Sequence, residues 1–331
     1  MIYIETKSTD AAYHFSVEEY LVRNFESDET LLMLWQADKC AMLGSFQIAA
    51  AEINMSCASK SKVQIVRRSS GGGTIFTDMG TLLYTMILPY SEDRDIEQLV
   101  KKSVAGPMVS ALNKIGIPAK MEGRNDILVG SKKISGLAQY IRGSRICVHG
   151  SLLYDTDLDL LANVLNVDEG KISSKAISSV RSRVTNVKEH MPKKLSTDEF
   201  ISMLKKSFFE CYDIRNYELS GAELSEIDTI FKNKYAHTSW NFGNAPKFSL
   251  RTAKRFPAGK VEIYMDTEKN IVTSCAIYGD FLGTVPISGL EEQMINIPLE
   301  YTAMSNALEK ISLRPYLGGI TKEQFLSCMF E

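Results

Sequence analysis

The spacings that bind structural metals are absent from this sequence. Its four histidines include no HExxH pattern, and no CxxC pair occurs among its six cysteines, which are Cys40, Cys57, Cys147, Cys211, Cys275 and Cys328. Structural zinc sites and disulfide frameworks both show close, regular cysteine or histidine spacings. We therefore expect reduced thiols, no structural metal and a cytoplasmic location for the protein.

Long apolar runs and an excess of charge of one sign are absent as well. No apolar run approaches the roughly 20 residues of a membrane-spanning helix, and the N-terminus has no basic-then-apolar signal pattern. The 38 basic and 40 acidic residues give a formal net charge of −2, which argues against a broad nucleic-acid surface. The Walker phosphate loop GxxxxGK[ST] is also missing. We expect a protein that binds neither membrane nor nucleic acid.

The composition that remains is that of a globular protein with more than one core. The 331 residues are 44% hydrophobic, which is ample for a large buried interior. Several predicted strands follow one another while long helices stand apart, and this order favours an α+β fold with a mixed or antiparallel sheet. A change to glycine, proline and aromatic residues near residue 246 divides the chain into a larger domain, residues 1–245, and a small α/β domain, residues 246–331.

Apolar periodicity predicts the main helices and one C-terminal hairpin. A helix is expected over residues 92–115, with a kink at Pro107. Residues 260–281 read as two strands around a tight turn. Another helix is expected over residues 10–25, with one side formed by Ala11, Phe15, Glu18 and Val22.

The stretch RRSSGGGTIFTD, residues 67–78, combines two arginines with three consecutive glycines. It connects two predicted strands, residues 62–66 and 81–88. Glycine loses more conformational freedom on folding than any other residue, so three in succession need a reason. One reason is a hairpin with a bulge. The better hypothesis is a ligand loop, because glycine lets a ligand approach backbone N–H groups and guanidinium groups suit phosphate.

A second cluster, GRNDILVGSKKISG over residues 123–136, places Lys133 at the start of a predicted strand. Its spacing is typical of a hairpin with a charged, solvent-facing turn. Alternatively, Lys133 points back into a pocket of the sheet, and Asp126 ligates a metal or caps a base. The spacing leaves both interpretations open.

A third cluster, CVHGSLLYDTDL over residues 147–158, contains a thiol, an imidazole and a hydroxyl at alternate positions. Alternate residues of a strand project from the same face, so Cys147, His149 and Ser151 should share one. A buried structural cysteine and a structural histidine are the more common roles for such residues. The sequence assigns no Ser-His-Asp constellation.

Together with SSVRSRVTNV, residues 178–187, and WNFGNAPKF, residues 240–248, these stretches resemble the lipoate–protein ligase family. They occur in the family's order over most of residues 1 to 250. The resemblance implies a catalytic domain like those of biotin protein ligases and class II synthetases, followed by an accessory domain. It also implies ATP, with Mg²⁺, as the activating substrate and lipoyl-adenylate as the intermediate. The implied acceptor is a lysine of a lipoyl-domain protein, such as a 2-oxoacid dehydrogenase subunit or the glycine cleavage H protein.

The resemblance also implies roles for individual residues. Lys133 is the expected catalytic residue, in contact with the lipoyl carbonyl and a phosphate, and Asp126 is a candidate Mg²⁺ contact. Residues 170–183 correspond to a loop that folds over the adenylate. The residues expected to bind ATP or the adenylate are Arg68, Gly73, Thr74, Ile75, Phe76, Asn125, Asp126 and Lys133. Those expected to bind lipoate are Ser70, Gly71, Gly72, His149 and Lys133.

Two other functions are compatible with the same pocket. The first is an octanoyl or lipoyl transferase that works without ATP through a thioester on Cys147. The second is a lipoate-binding protein without turnover. Some relatives carry histidine where this chain has Thr77, so we assign that position no role. The domain after residue 246 carries none of the matched positions, and we expect it to be a mobile accessory lid outside the active site.

Overall fold

The computed structural model describes residues 1–166, 182–243 and 249–330. Its strands, numbered in chain order, are β1 Ile2–Ile4, β2 Leu31–Trp35, β3 Cys40–Leu43, β4 Gln64–Arg67, β5 Ile75–Thr77, β6 Thr81–Pro89, β7 Ala119–Glu122, β8 Asp126–Val129, β9 Lys132–Arg142, β10 Arg145–Leu153, β11 Arg215–Tyr217, β12 Leu250–Phe256, β13 Gly259–Glu268 and β14 Ile271–Gly279. The described α-helices are α1 Ala11–Arg23, α2 Ala49–Glu52, α3 Met55–Lys60, α4 Ile96–Val100, α5 Gly106–Lys114, α6 Leu158–Val164, α7 Thr197–Cys211, α8 Gly221–Ile230, α9 Thr238–Phe242, α10 Ser288–Met294, α11 Tyr301–Leu308, α12 Arg314–Leu317 and α13 Lys322–Phe330.

An eight-stranded sheet in the order β11-β1-β2-β6-β10-β9-β8-β7 forms the centre of the larger domain. Strand β1 pairs in parallel with β11 and β2, whereas β10 pairs antiparallel with β6 and β9. Helices α5 and α7 pack in the core on one face, and α1 packs in the core on the other. The mixed sheet with separate helices confirms the predicted α+β fold.

Helix α1 confirms the prediction for residues 10–25, because Asp10 caps its first turn by accepting from the Ala12 N–H at 2.9 Å. The predicted helix over residues 92–115 begins later, at Ile96, and is not regular. A π-helical turn over residues 101–105 separates α4 from α5. It lies just before Pro107, which has no N–H to donate to the preceding turn and so disrupts the regular α-helical ladder.

A three-stranded sheet in the order β4-β3-β5 carries the glycine-rich loop. Strand β3 pairs in parallel with β4 and antiparallel with β5. The loop therefore crosses the end of β3 to connect two strands that are not neighbours. The hairpin interpretation of this stretch is wrong, because β3 occupies the place that a hairpin partner would take.

The C-terminal part has its own three-stranded sheet, β12-β13-β14, and its own apolar core. The predicted hairpin over residues 260–281 is confirmed by the antiparallel pair β13 and β14. Strand β12, Leu250–Phe256, was not predicted, since its sequence LRTAKRF has no apolar run. This part contacts the larger domain through Phe46, whose carbonyl accepts from the Gly279 N–H at 2.8 Å and whose ring stacks on Phe281 at 5.1 Å between centroids.

Three predicted segments lie partly outside the described residues. The loop predicted over residues 170–183 and the stretch over residues 178–187 overlap residues 167–181, and the stretch over residues 240–248 overlaps residues 244–248. Among the helices described, none is long and apolar enough to cross a membrane.

Candidate active site

Arg67 joins the end of β4 to two neighbouring segments of backbone. Its Nη1 donates to the carbonyls of Gly44 at 2.9 Å and Gln47 at 2.6 Å, and its Nε donates to the Trp240 carbonyl at 3.0 Å. Burial lowers the pKa of Arg67 to about 10, which leaves the guanidinium charged at neutral pH. The carbonyl dipoles offset the cost of burying this charge, so Arg67 supports the loop rather than facing a ligand.

Arg68 shapes the loop from the inside. Its Nη2 donates to the carbonyls of Gly71 at 2.9 Å and Gly73 at 2.7 Å, and its Nε donates to Ser70 Oγ at 3.0 Å. Burial, reinforced by the neighbouring Arg67 charge, lowers the pKa of Arg68 to about 10, so it also stays charged. Arg68 lines the pocket described below. A fixed, desolvated cation therefore stands at the wall where the sequence predicts a phosphate contact.

Gly71 and Gly72 of the loop occupy positions that restrict side chains. Gly72 has φ +89°, a left-handed conformation that residues with a Cβ rarely adopt. A Cβ on Gly72 would lie 3.1 Å from Leu282 Cδ2, and one on Gly71 would lie 2.6 Å from the Phe281 carbonyl oxygen. The Gly72 N–H also donates to that carbonyl at 3.2 Å. The C-terminal domain thus supports the loop through its Phe281–Leu282 segment, and the expectation that it is a mobile lid outside the active site stays a prediction.

Lys133 lies at the start of β9, where it pairs with Asp126 at the start of β8. The Lys133 Nζ to Asp126 Oδ1 distance is 2.7 Å, and both side chains are little more than one-third exposed. A Cβ on Gly136 would lie 2.7 Å from the same Nζ, so glycine at this position leaves space for the ammonium group. The Lys133 carbonyl accepts from the Thr185 N–H at 3.0 Å. The sequence left two interpretations open, a hairpin with a charged turn and a lysine that points into a pocket. Both hold in part, because β8 and β9 form an antiparallel pair and Lys133 lines the pocket.

A chain of buried polar groups connects the glycine loop to α1. Ser70 Oγ lies 2.7 Å from His149 Nε2, and His149 Nδ1 lies 3.0 Å from Glu18 Oε2. The other Glu18 oxygen accepts from Thr85 Oγ1. Because a carboxylate can only accept, the hydrogen bond between His149 and Glu18 is donated by Nδ1 of the imidazole. The carboxylate therefore fixes the imidazole, and the imidazole fixes the loop.

One pocket gathers these groups beside an apolar wall. The apolar side chains that line it belong to Phe15, Trp35, Met42, Ile75, Leu83 and Leu137. Its polar lining includes Arg68, Asn125, Lys133 and His149. A cation, hydrogen-bonding groups and a mainly apolar surface in one concave site are typical of a site for a small amphipathic ligand.

The structure brings most of the predicted site residues to this pocket. Those in its lining are Arg68, Gly72, Gly73, Thr74, Ile75, Asn125, Lys133 and His149. Ser70 is fully buried behind His149, and Gly71 packs against the backbone of Phe281. Asp126 reaches the pocket through its pair with Lys133. The Phe76 side chain instead packs in a hydrophobic cluster with Ala41 and Leu161.

Several residues in the pocket or behind it were not singled out from the sequence. Glu18 did give a signal, because a charged residue on the apolar side of a predicted helix is unusual, and it is only 1% exposed. Phe15 and Trp35 gave none, since buried aromatic residues are common in any core. Gly136 could be interpreted only after the position of Lys133 was known.

Cys147 does not have the surroundings of a nucleophile. It is fully buried, and burial together with the charge of Glu18 raises the pKa of its thiol well above the ordinary value. Reactive cysteines need the opposite, a lowered pKa and access to substrate.

Among the residues described, Glu18, Cys147 and His149 are the one group of three ligating side chains found close together, and Asp126 belongs to no such group.

Comparison with known proteins matches this chain to one family. The profile described as "Lipoyl protein ligase A/B catalytic domain" matches residues 10–209, and "Bacterial lipoate protein ligase C-terminus" matches residues 245–329. Lipoate-protein ligase LplJ of Bacillus subtilis is 34% identical over 334 residues, with 100% of both chains covered. Lipoate–protein ligase 1 of Staphylococcus aureus is 30% identical, with 97% of both chains covered.

Solved structures agree with the sequence comparison. A P. falciparum LipL1 structure in complex with lipoate covers 98% of this chain and 97% of its own at a TM-score of 0.80, and at 20% identity it supports the fold. A bi-partite lipoate protein ligase from Thermoplasma acidophilum, reported with its E2 lipoyl domain, is 29% identical at a TM-score of 0.66 over 75% of this chain and 98% of its own. A lipoate-protein ligase A bound with ATP is 28% identical at a TM-score of 0.63 over 73% of this chain and 98% of its own. The chain, which brings residues of its three predicted clusters to one pocket, belongs to the lipoate–protein ligase family.

Proposed function

We propose that this ligase uses ATP to activate lipoate as lipoyl-adenylate and then transfers the lipoyl group to a lysine of a lipoyl-domain protein. The observation that carries the proposal is the single pocket in which the Lys133 ammonium and the glycine loop stand beside an apolar wall. Lipoate needs both, an apolar surface for its chain and fixed positive charge where its carboxylate meets a phosphate. Bound lipoate and bound ATP in related structures support the two substrates.

In the first half-reaction, a lipoate carboxylate oxygen attacks the α-phosphorus of ATP and pyrophosphate leaves. Two anions approach each other in this step, so preorganised donors must meet the charge that develops. Lys133 is the proposed catalytic residue, with its ammonium directed at both the lipoyl carboxylate and the phosphate. Arg68, Asn125 and residues 73–76 are proposed to bind the nucleotide.

In the second half-reaction, the acceptor lysine amine attacks the lipoyl carbonyl carbon, AMP leaves and the amine loses a proton. The Lys133 charge can follow the oxygen of the tetrahedral intermediate, so one residue serves both steps. Ser70, Gly71, Gly72 and His149 are proposed to hold the lipoyl group. A lipoyl domain as the acceptor is supported by the archaeal relative reported with one, and 2-oxoacid dehydrogenase subunits and the glycine cleavage H protein are the candidates.

Mg²⁺ is proposed to enter as the ATP complex. It prefers one or two carboxylates together with phosphate oxygens, and Asp126 is the carboxylate beside Lys133. That arrangement fits a magnesium ion shared with the nucleotide, whereas the thiol and imidazole of the Glu18 group suit softer metals. We place the reaction in the cytoplasm, where free thiols persist, because all six cysteines are free.

The two-domain division, residues 1–245 and 246–331, is also proposed. The larger part contributes the groups with chemical roles, and the smaller part supports the glycine loop through Phe281 and Leu282. Ligand-dependent movement of such a domain can gate turnover.

Lipoate-dependent exchange of pyrophosphate into ATP tests this function directly. The purified protein should catalyse it, and Lys133→Ala should lower the rate on the order of 10²–10³-fold, since that is the typical cost of one preorganised donor. Lys132→Ala is the matched control, because Lys132 is the preceding residue and is exposed, and it should remain close to wild type. Near-normal exchange and lipoylation by Lys133→Ala would remove Lys133 from its role.

A further inference from the structure

Two adjacent glutamates of α1 reach two adjacent serines of the glycine loop. Glu18 reaches Ser70 through His149, as described above. Glu19 reaches Ser69 by a separate route. Both carboxylates are buried, with Glu18 1% and Glu19 4% exposed. Neighbouring buried acids that hold neighbouring loop residues are an arrangement that helix packing alone does not require.

The second route runs through Lys234 and Tyr235. Lys234 Nζ lies 2.5 Å from Glu19 Oε2 and donates to Ser69 Oγ at 3.0 Å. The Tyr235 hydroxyl donates to Glu19 Oε2 at 2.7 Å, and it lies 2.8 Å from Ser69 Oγ. Arg23 Nη2 adds an ion pair to the other Glu19 oxygen at 2.7 Å. Ser69 therefore has two partners, and both are held in place by the same buried carboxylate.

This network is charged, satisfied and rigid. Burial opposes ionisation of Glu19, but Lys234, Tyr235 and Arg23 outweigh it and hold the pKa of Glu19 below its ordinary value. The Lys234 ammonium also stands 4.1 Å from the centre of the Trp240 ring, a favourable cation–π distance. A desolvated ion pair with its hydrogen bonds complete resists rearrangement, because any broken contact leaves a buried charge unpaired.

The same segment holds the loop at Arg67 as well. The Arg67 N–H donates to Asn241 Oδ1 at 3.0 Å, and Trp240 Nε1 donates to the Arg67 carbonyl at 2.9 Å. Asn241 Nδ2 donates in turn to the Tyr235 carbonyl at 2.8 Å. The start of the loop, at Arg67 and Ser69, is therefore attached to residues 234–241.

We propose that Glu19, Lys234 and Tyr235 are positioning residues that fix Ser69, and with it the glycine loop, in the conformation that receives lipoate. The inference rests on the proposed function for its ligand. None of the three lines the pocket, so they act through the loop rather than on the substrate. The loop glycines gain flexibility if Ser69 is released, since glycine resists ordering more than any other residue.

Ser69→Ala is the sharpest variant, because it removes the Ser69 attachment of the loop and leaves the contacts among Glu19, Lys234 and Tyr235 intact. Ser207→Ala is the matched control, since the Ser207 hydroxyl donates a hydrogen bond to the Ala111 carbonyl, away from the loop. We expect Ser69→Ala to weaken lipoate binding by about tenfold in calorimetry, the equivalent of one hydrogen bond to a charged group. Ser207→Ala should bind lipoate as wild type does.

Amide hydrogen exchange over residues 67–73, measured without ligand, tests the inference independently of lipoate. Ser69→Ala should exchange faster there by severalfold, and Tyr235→Phe added to Ser69→Ala should bring no further increase, because both changes remove the same connection. Faster exchange in a protein that binds no lipoate would support the loop connection and refute the proposed function. Unchanged exchange in Ser69→Ala overturns the inference, whatever its melting temperature.

Discussion

At the scale of single residues, the two arginines of RRSSGGG show that the same side chain can have different contacts at neighbouring positions. The sequence predicts that their guanidinium groups face phosphate, and both remain charged when buried. Arg67 instead binds backbone carbonyls of residues 44, 47 and 240. Arg68 binds loop carbonyls and also lines the pocket, so its phosphate contact stays a prediction. Two adjacent arginines indicate positive charge at the loop, but the sequence does not say which groups each guanidinium contacts.

Cys147→Ser tests the thioester route at one atom. We expect ATP-dependent lipoylation to stay within a few-fold of wild type, because the buried thiol has a raised pKa and lacks access to solvent. Removal of a true nucleophile can cost roughly 10⁶-fold. Cys211→Ser is the control, since Cys211 is exposed. An acyl-thioester trapped on Cys147, together with transfer in the absence of ATP, would establish the transferase instead.

At the scale of elements, the glycine loop is defined by what it crosses and what packs on it. It passes the end of β3 between β4 and β5, and the Phe281–Leu282 segment lies against its glycines. A hairpin could tolerate side chains at an exposed turn. Gly71 and Gly72 of this loop are restricted, because neighbouring backbone and side chains lie close to the position of an added Cβ.

Gly72→Val tests whether the loop is restricted for ligand binding rather than for folding. Gly116→Val is the matched control, since Gly116 has φ +88° against +89° for Gly72 but has nothing within 4 Å of an added Cβ. Both variants should lose stability on the order of 1–3 kcal/mol for a strained backbone, and the loss should be the larger in Gly72→Val, because its side chain also meets Leu282 and Arg68. Only Gly72→Val should lose lipoate affinity, by about tenfold or more, in calorimetry beside melting curves. Equal affinity in the two variants would mean that Gly72 serves folding alone.

At the scale of the whole molecule, the two parts of the chain meet around the active site. The Phe46 carbonyl accepts from Gly279, and the Phe281 carbonyl accepts from Gly72. Glu52, at the end of α2, is half-buried near this junction. Burial first, and then the charge of Asp280 in the C-terminal part, raise the pKa of Glu52 to about 7. The junction therefore contains an acid that prefers to be protonated in the folded protein.

The pH dependence of stability follows from that shift. A carboxyl group whose pKa is raised by folding stabilises the folded protein most below its unfolded pKa, about 4.5. This contribution to the free energy of unfolding is lost as the pH rises to about 7. Glu52→Gln mimics the protonated form and should therefore raise the melting temperature more at pH 8 than at pH 5. The free energy of unfolding at pH 8 should rise on the order of 1–3 kcal/mol. An equal difference at both pH values would contradict the assignment.

Local sequence determined helix α1, the hairpin of β13 and β14, and the family of this protein. The Asp10 cap and apolar side predict α1, the alternation of apolar residues predicts the hairpin of β13 and β14, and the ordered motifs predict the family. These features depend on residues a few positions apart, because capping and side-chain periodicity act within one or two turns or across one hairpin. The position of Lys133, too, depends on a local element, the hairpin of β8 and β9.

Only the tertiary structure decided how the site is supported. The contact between Glu18 and His149 spans 131 residues, and the one between Lys234 and Ser69 spans 165. The insertion of β3 between β4 and β5, and the packing of Phe281 on Gly71, likewise join parts that no local pattern relates. Such contacts are fixed when separate elements pack and every buried polar group must find a partner, and that condition applies to the assembled molecule rather than to any stretch of sequence.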